Sequence, residues 1–398
     1  MRKIANYEVK GKKILVRVDL NCPIKNGKLA GDTRLRAHAI TIKELSDRGG
    51  RVIILSHQGR KGKEDFTSLE QHAKRLHQLI GKDIAFVDAV IGEHTVNAIN
   101  KLKDGDILVL DNVRHLHCET EHPHGEGEIV YHLSQVADYY VLDALSVAHR
   151  KHSSVVGFSK KIPSFAGDVL AAEVEAIKRV QSEGNVTFIF GGAKVEDSFK
   201  VMKKWLGNGR TNHILVGGAL SVLMLHAAGH SVGDSLNYLD SSGLMKHVPD
   251  AKQILQDHSN KLVLPVDVGI SLGKKRIELP ITEVSSGEIW DIGEKTIEKY
   301  REIIHSSNTI VMNGPLGVYE EDEFSKGTKA ILNAIANSKA FSLLGGGHTI
   351  SAIDKFNFKK NQFGYVSLSG KALVEYLCGH KLPGIAALDE SEQDFKLD

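Results

Sequence analysis

Short runs of apolar, β-branched residues recur along the chain, separated by stretches with helical spacing. In the first half the runs are Lys13–Asp19, Val52–Ser56, Ile84–Val87, Ile107–Asn112 and Tyr139–Ala144. In the second half they are Val186–Gly191, His213–Gly218, Leu262–Val268, Thr309–Asn313, Phe341–Gly345 and Tyr365–Ser369. Each is nearly continuous in apolar character, the pattern of strands covered on both faces. Between two of them, Thr67-Ser68-Leu69-Glu70 reads as a capping box. Leu69, His72, Ala73, Leu76 and Leu79 follow at helical spacing, and Gly81 supplies the stop. Alternating strands and helices predict an α/β fold with doubly wound parallel sheets.

So many strands overfill one sheet, and 398 residues exceed one ordinary core, so two domains are expected. The Ala166–Val180 segment is apolar at Val169, Leu170, Val174, Ile177 and Val180 and predicts a helix between the two strand series. The expected division is an N-terminal domain at 1–160, a connecting helix at 161–180 and a C-terminal domain at 181–379. The segment of about 380–398 is expected to pack back on the first domain, with Leu388–Asp398 as a charged surface tail.

Composition narrows the class. Apolar content of 41% and charged content of 25% suit a globular enzyme. A net charge of +2 argues against bulk nucleic-acid binding, so the basic residues must serve locally. No run approaches the ~20 apolar residues of a membrane span. The opening MRKIANYEVKGKK has no apolar signal core. Cys22, Cys118 and Cys378 have no pairing pattern, which points to reduced thiols and a cytoplasmic setting. No obligate protein partner is indicated.

Basic and polar clusters then stand out in the first half: Asp19-Leu20-Asn21, Arg34, His57-Gln58-Gly59-Arg60, Arg114 and Arg150. Most directly follow a strand-like run. Open parallel sheets bind ligands at the carboxyl ends of their strands. Arginines gathered there would grip phosphate and carboxylate in bidentate fashion, so a small, multiply anionic substrate is expected. Crowded His115, His117, Cys118, His122 and His124 lack paired cysteine spacing and read as a polar loop in preference to a zinc site.

The second half ends strand after strand in glycine: Gly191-Gly192-Ala193-Lys194, Gly217-Gly218-Ala219, Asn313-Gly314-Pro315-Leu316-Gly317 and Gly345-Gly346-Gly347-His348-Thr349. Such turns admit close backbone approach, and the following helix N-termini offer N–H groups to phosphate. Thr349 is expected to cap a helix beginning at Ile350, and Lys194 to reach a phosphoryl group. Neither G-x-x-x-x-G-K-[ST] nor a well-placed G-x-G-x-x-G is present, which disfavours a P-loop kinase or a nicotinamide oxidoreductase.

The stretches LVRVDLNCPIKNGKLAGDTRLRA, LSHQGRKG, NVR, AHRKHSS, GGAKVEDS, NGPLGVYEEDEF, LLGGGHT and KLPGIAAL together resemble phosphoglycerate kinases, in an archaeal-like variant, and occur in that family's order. The resemblance implies two Rossmann-like domains facing a cleft, with hinge closure. It implies reversible phosphoryl transfer from 1,3-bisphosphoglycerate to ADP, giving 3-phosphoglycerate and ATP, with Mg²⁺ carried as Mg-ADP or Mg-ATP. It places phosphoglycerate on Asp19, Asn21, Arg34, His57, Gln58, Gly59, Arg60, Arg114 and Arg150. It places the nucleotide on Gly192, Ala193, Lys194, Gly217, Gly218, Asn313, Pro315, Val318, Glu320, Gly346, Gly347, His348 and Thr349, with Glu320 on the ribose. Arg34 and Lys194 would act on the reacting groups.

Three features depart from the family pattern. Ser198 replaces a lysine, Ser367-Leu368-Ser369-Gly370-Lys371-Ala372 replaces a glycine-rich turn, and His348 replaces an aspartate. Lys371, or alternatively Lys200, is expected to supply the missing cation, and His348 leaves the magnesium ligands unassigned. These departures leave a second reading, a weakly active or inactive homologue that senses nucleotide or phosphoglycerate.

Overall fold

The computed structural model describes residues 1–121 and 127–397, so His122 and His124 lie outside the described residues. The chain divides into two compact units, Met1–Val174 with His380–Asp398, and Glu175–Gly379. Each is built on a six-stranded parallel sheet. The Asp168–Ser182 helix carries the chain from one unit to the other. No helix among the described residues is long and apolar enough to cross a membrane.

In the first unit the strand order is Ile84–Val87, Ile107–Leu110, Arg51–Leu55, Lys13–Arg17, Tyr139–Leu142, Ser164–Ala166. The central Lys13–Arg17 strand is buried from Ile14 onward because it pairs on both edges and is covered on both faces. The Thr33–Asp47 helix shares its Leu35, Ala39, Ile42 and Leu45 with the same apolar core.

The Glu70–Ile80 helix buries His72, Ala73, Leu76 and Ile80, and left-handed Gly81 ends it. Its predicted capping box does not form. The Leu69 N–H donates to the Asp111 carboxylate at 2.8 Å, so a distant acid supplies what the local motif would have. The C-terminal stretch is not a tail either. The Pro383–Asp394 helix buries Leu388 and Ser391, and Ser391 Oγ accepts from the edge-strand Ser164 N–H at 3.0 Å. Gly384 sits so close to Leu142, Ala148 and Val155 that a Cβ would fall within 3.1 Å of each.

The second unit orders its parallel strands Leu262–Val263, Thr211–Val216, Val186–Phe190, Thr309–Asn313, Phe341–Gly345, Tyr365–Val366. The apolar run Leu262–Val268 is not one strand. It breaks at Pro265, and Asp267–Leu272 becomes the central strand of a separate antiparallel sheet, flanked by Lys275–Pro280 and Glu288–Ile292. Asp267 then accepts from Lys295 N–H at 3.0 Å and Thr296 N–H at 2.8 Å, satisfying the first turn of the Glu294–Ser306 helix. Both parallel sheets therefore end, at their strand C-termini, in the loops that carried the sequence signals.

Candidate functional site

In the first unit, the loop after Lys13–Arg17 and the loop after Arg51–Leu55 are tied together. Asn21 Oδ1 accepts from Gly59 N–H at 2.7 Å, and Asp19 Oδ1 accepts from Asn21 N–H at 3.1 Å. Asp19 is buried and binds the Arg34 guanidinium and the Ser146 hydroxyl. Arg34, in the first turn of its helix, is thus oriented by a carboxylate. Arg114 donates to the Gly59 carbonyl, and Gly59 is left-handed with Asp65 O only 2.3 Å from where a Cβ would stand.

The side chain of Gln58, expected among the ligand contacts, is bonded within the protein. Fully buried, it accepts from Cys22 N–H at 2.9 Å and His72 Nε2 at 3.0 Å, and donates to the Cys22 and Asp65 carbonyls. Its polar atoms hold the loop. Arg60 is exposed, and Arg150 is partly buried. Among the described residues the buried Nε of Arg150 has no hydrogen-bond partner within the protein.

This cluster is electrostatically unfinished. Burial and then the neighbouring Arg150 and Arg17 lower the Arg114 pKa to about 10. Burial, Arg17 and Arg60 lower that of Arg150. Burial, followed by Arg17, Arg114, Arg150 and Arg34, holds the His57 imidazole well below its usual range, so it is neutral. Guanidiniums that repel one another at half-buried positions gain from an anion set among them.

Beneath the cluster lies a layer that sequence spacing does not reveal. Arg17 is fully buried at the end of its strand. Its Nε donates to Ser154 Oγ at 2.8 Å, Nη1 to the Val18 carbonyl, and Nη2 approaches His57 Nδ1 at 3.3 Å. Buried Glu119 accepts from Ser154 N–H at 2.8 Å and Ser154 Oγ at 2.7 Å. A basic residue inside an apolar run was the available signal.

In the second unit the glycine turns pack on one another. Gly192 N–H donates to Pro315 O at 2.7 Å, and Gly218 N–H to Leu316 O at 2.8 Å. A Cβ on Gly191 would stand 2.0 Å from Pro315 O, and one on Gly314 2.2 Å from Gly191 O. Gly191→Ala is therefore expected to cost about 1–3 kcal/mol of stability. Thermal melts check this, and an unchanged melt contradicts it.

The turns leave a pocket lined by Gly191, Gly192, Ala193, Lys194, Asp197, Ser198, Asn313, Gly314, Pro315, Gly346, Gly347 and His348, with Gly370 and Val374 completing it. Thr349 is not the cap expected of it. The helix begins at Gly347, and the buried Thr349 hydroxyl accepts from Gly314 N–H at 2.9 Å, bracing one turn with the next. Exposed Lys194 immediately precedes the Val195–Gly207 helix. Glu320 lies 3.4 Å from His348 Nδ1, and Val318 N–H donates to Trp290 O at 2.7 Å. Gly217, Gly218, Val318, Glu320 and Thr349 stand behind or beside the lining.

The two lysines expected to stand in for a missing cation are engaged elsewhere. Lys200 pairs with Glu196 at 3.2 Å, Lys371 with Glu375 at 3.6 Å, and neither lines the pocket. Asp197, which sequence reasoning passed over, supplies the lining's carboxylate. Among the described residues no cluster of three or more metal-ligating side chains occurs.

Comparison with known proteins adds four findings. A family model described as phosphoglycerate kinase matches residues 4–380. Phosphoglycerate kinase of Methanothermus fervidus is 38% identical over 98% of this chain and 97% of its own length. The crystal structure of phosphoglycerate kinase from Pyrococcus horikoshii superposes with a TM-score of 0.93 at 34% identity, covering 99% of this chain and 100% of that one. That from Coxiella burnetii gives 0.80 at 32% identity, covering 99% of each.

Proposed function

The chain belongs to the phosphoglycerate kinase family, and from that premise we propose that phosphoglycerate binds the basic cluster of the first unit and nucleotide phosphates bind the glycine-lined pocket of the second. The enzyme is a phosphotransferase with a carboxyl acceptor. It transfers a phosphoryl group reversibly from 1,3-bisphosphoglycerate to ADP, giving 3-phosphoglycerate and ATP. The observation that carries the site assignment is the convergence of Arg34, Arg114, Arg150 and neutral His57, with Arg150 Nε unpartnered.

The chemistry asks for little proton transfer. The attacking group is a phosphate oxygen of ADP or, in reverse, a carboxylate, both already ionised near neutral pH. Rate then comes from alignment and from charge placed around the moving phosphoryl. Arg34, held by Asp19, serves the acyl-phosphate or carboxylate end. Arg60, Arg114, Arg150 and His57 hold the phosphate that does not react. Lys194 serves the transferred phosphoryl, backbone N–H groups of the Gly192 and Gly346–Gly347 turns serve the nucleotide phosphates, and Glu320 serves the ribose.

The pocket fits a magnesium-bound nucleotide. Magnesium takes oxygen donors and is commonly held by one or two carboxylates plus substrate phosphates and water. Asp197 supplies such a carboxylate, whereas the imidazole of His348 is a poor ligand for it. Magnesium would offset phosphate charge there. The buried, unpaired cysteines Cys22, Cys118 and Cys378 support a cytoplasmic setting.

An assay coupling ATP formation to NADP reduction tests the reading. Arg150→Ala is expected to raise the KM for 3-phosphoglycerate, assayed in the reverse direction, by about 10- to 100-fold, the loss of a charged hydrogen bond. The KM for ATP should change little. An equal rise in both would remove Arg150 from the phosphoglycerate site.

A further inference from the structure

Behind the basic cluster the donor and acceptor role of each group in a buried chain can be fixed in turn. A carboxylate only accepts, so the Ser154 hydroxyl donates its proton to Glu119 Oε1 at 2.7 Å. The Ser154 oxygen is then free to accept from Arg17 Nε at 2.8 Å. A guanidinium carries donors alone, so Arg17 Nη2, 3.3 Å from His57 Nδ1, donates to that nitrogen. Nδ1 must offer its lone pair, and the imidazole proton must reside on Nε2. The Nη1 arm is anchored on the Val18 carbonyl, so the guanidinium has no freedom to turn away.

We propose that Arg17 is a positioning residue that holds His57 as the neutral Nε2–H tautomer, leaving Nε2 as a permanent hydrogen-bond donor to the anionic substrate. The proposal rests on the reading that this cluster holds phosphoglycerate. A histidine beside an anion ordinarily gains a second proton and binds in a pH-gated way. The charged groups around this ring oppose that. Arg17, Arg34, Arg114 and Arg150 act on it, against Asp19, whose Oδ1 lies 4.0 Å from Nδ1. Burial works in the same direction as the arginines. Substrate recognition by His57 therefore proceeds without proton uptake, and its strength stays level across neutral pH.

Histidine ¹⁵N NMR of the full chain without ligand tests the tautomer directly. The expected result is a His57 ring with an unprotonated Nδ1 and a protonated Nε2, unchanged between about pH 5.5 and 8. A protonated Nδ1, or titration near the ordinary value of about 6.5, overturns the proposal. Arg17→Met should make His57 titrate and raise the KM for 3-phosphoglycerate about tenfold, most at high pH, with kcat changed less. A folded variant with the parent's tautomer and pH profile also overturns it.

His57 replacements give a second measure. His57→Gln places an amide N–H near the reach of Nε2, and His57→Asn places one near Nδ1. The glutamine variant should bind 3-phosphoglycerate about tenfold or more tighter than the asparagine variant, and the reverse order overturns the proposal. The site reading fails separately if saturating 3-phosphoglycerate leaves every His57 signal in place.

Discussion

Lys194→Ala is expected to lower kcat by about two to three orders of magnitude, the loss typical of one preorganised group that stabilises transition-state charge. On the proposed site the KM for ADP should stay within about tenfold, because the backbone N–H groups of the surrounding turns, which would hold the phosphates, are left in place by the substitution. Lys194 is the lysine on the pocket lining, and it is exposed at the start of the Val195–Gly207 helix. Ser198, buried one turn further on, brings no charge. Lys200 and Lys371 each pair with a glutamate one turn away on their own helices, and neither lines the pocket. Initial rates in the coupled assay decide the matter. A fall in kcat of less than about tenfold would show that another cation follows the phosphoryl group.

Glu119→Ala carries the largest expected loss of stability. Glu119 and Arg17 are both fully buried and communicate through Ser154. Removing the carboxylate leaves a buried guanidinium without its balancing charge, at a cost of about 3–5 kcal/mol. For a unit of this size that is a fall in Tm of about 6–20 °C. Glu119→Gln keeps an acceptor for Ser154 and should lose less.

The same residue sets an acid limit. Burial alone would push the Glu119 carboxyl up, but bonds from His152 and Ser154 and the charge of Arg17 outweigh it, and the group lies below its usual range. A depressed folded pKa means that this stability is present above the unfolded value of about 4.3 and is lost as pH falls through the folded one. Melts from neutral to acidic pH should show the parent losing Tm in that window more steeply than Glu119→Ala. Parallel curves would contradict the assignment.

The features readable from sequence share one property: their signal is local. Strand runs such as Thr309–Asn313 and Phe341–Gly345 are continuous apolar stretches and form as the pattern requires. Glycines at strand ends are legible because only a residue without a Cβ fits where another backbone passes, as at Gly191 and Gly314. Where a distant group intervenes, local rules fail. Asp111 takes the role of a capping box at Leu69, and Thr349 braces Gly314 instead of capping a helix. The Leu262–Val268 run has strand composition throughout, yet Pro265 divides it between two sheets. Arg17, Ser154 and Glu119 fall in separate segments with no common spacing, so only the fold brings them together.

The Pro383–Asp394 helix belongs to the first unit but follows the whole of the second in the chain. A ribosome therefore delivers it last. At typical synthesis rates the intervening stretch of roughly 200 residues takes about 10–40 s to emerge. During that interval the surface formed by Leu142, Ala148 and Val155, which Gly384 later covers, faces water, as does the edge at Ser164. The nascent first unit must pass this time incomplete, while the second unit has all its strands in hand before translation ends. Vectorial synthesis thus lets the second unit complete its chain before the first, and leaves the first unit the one exposed to premature aggregation or proteolysis.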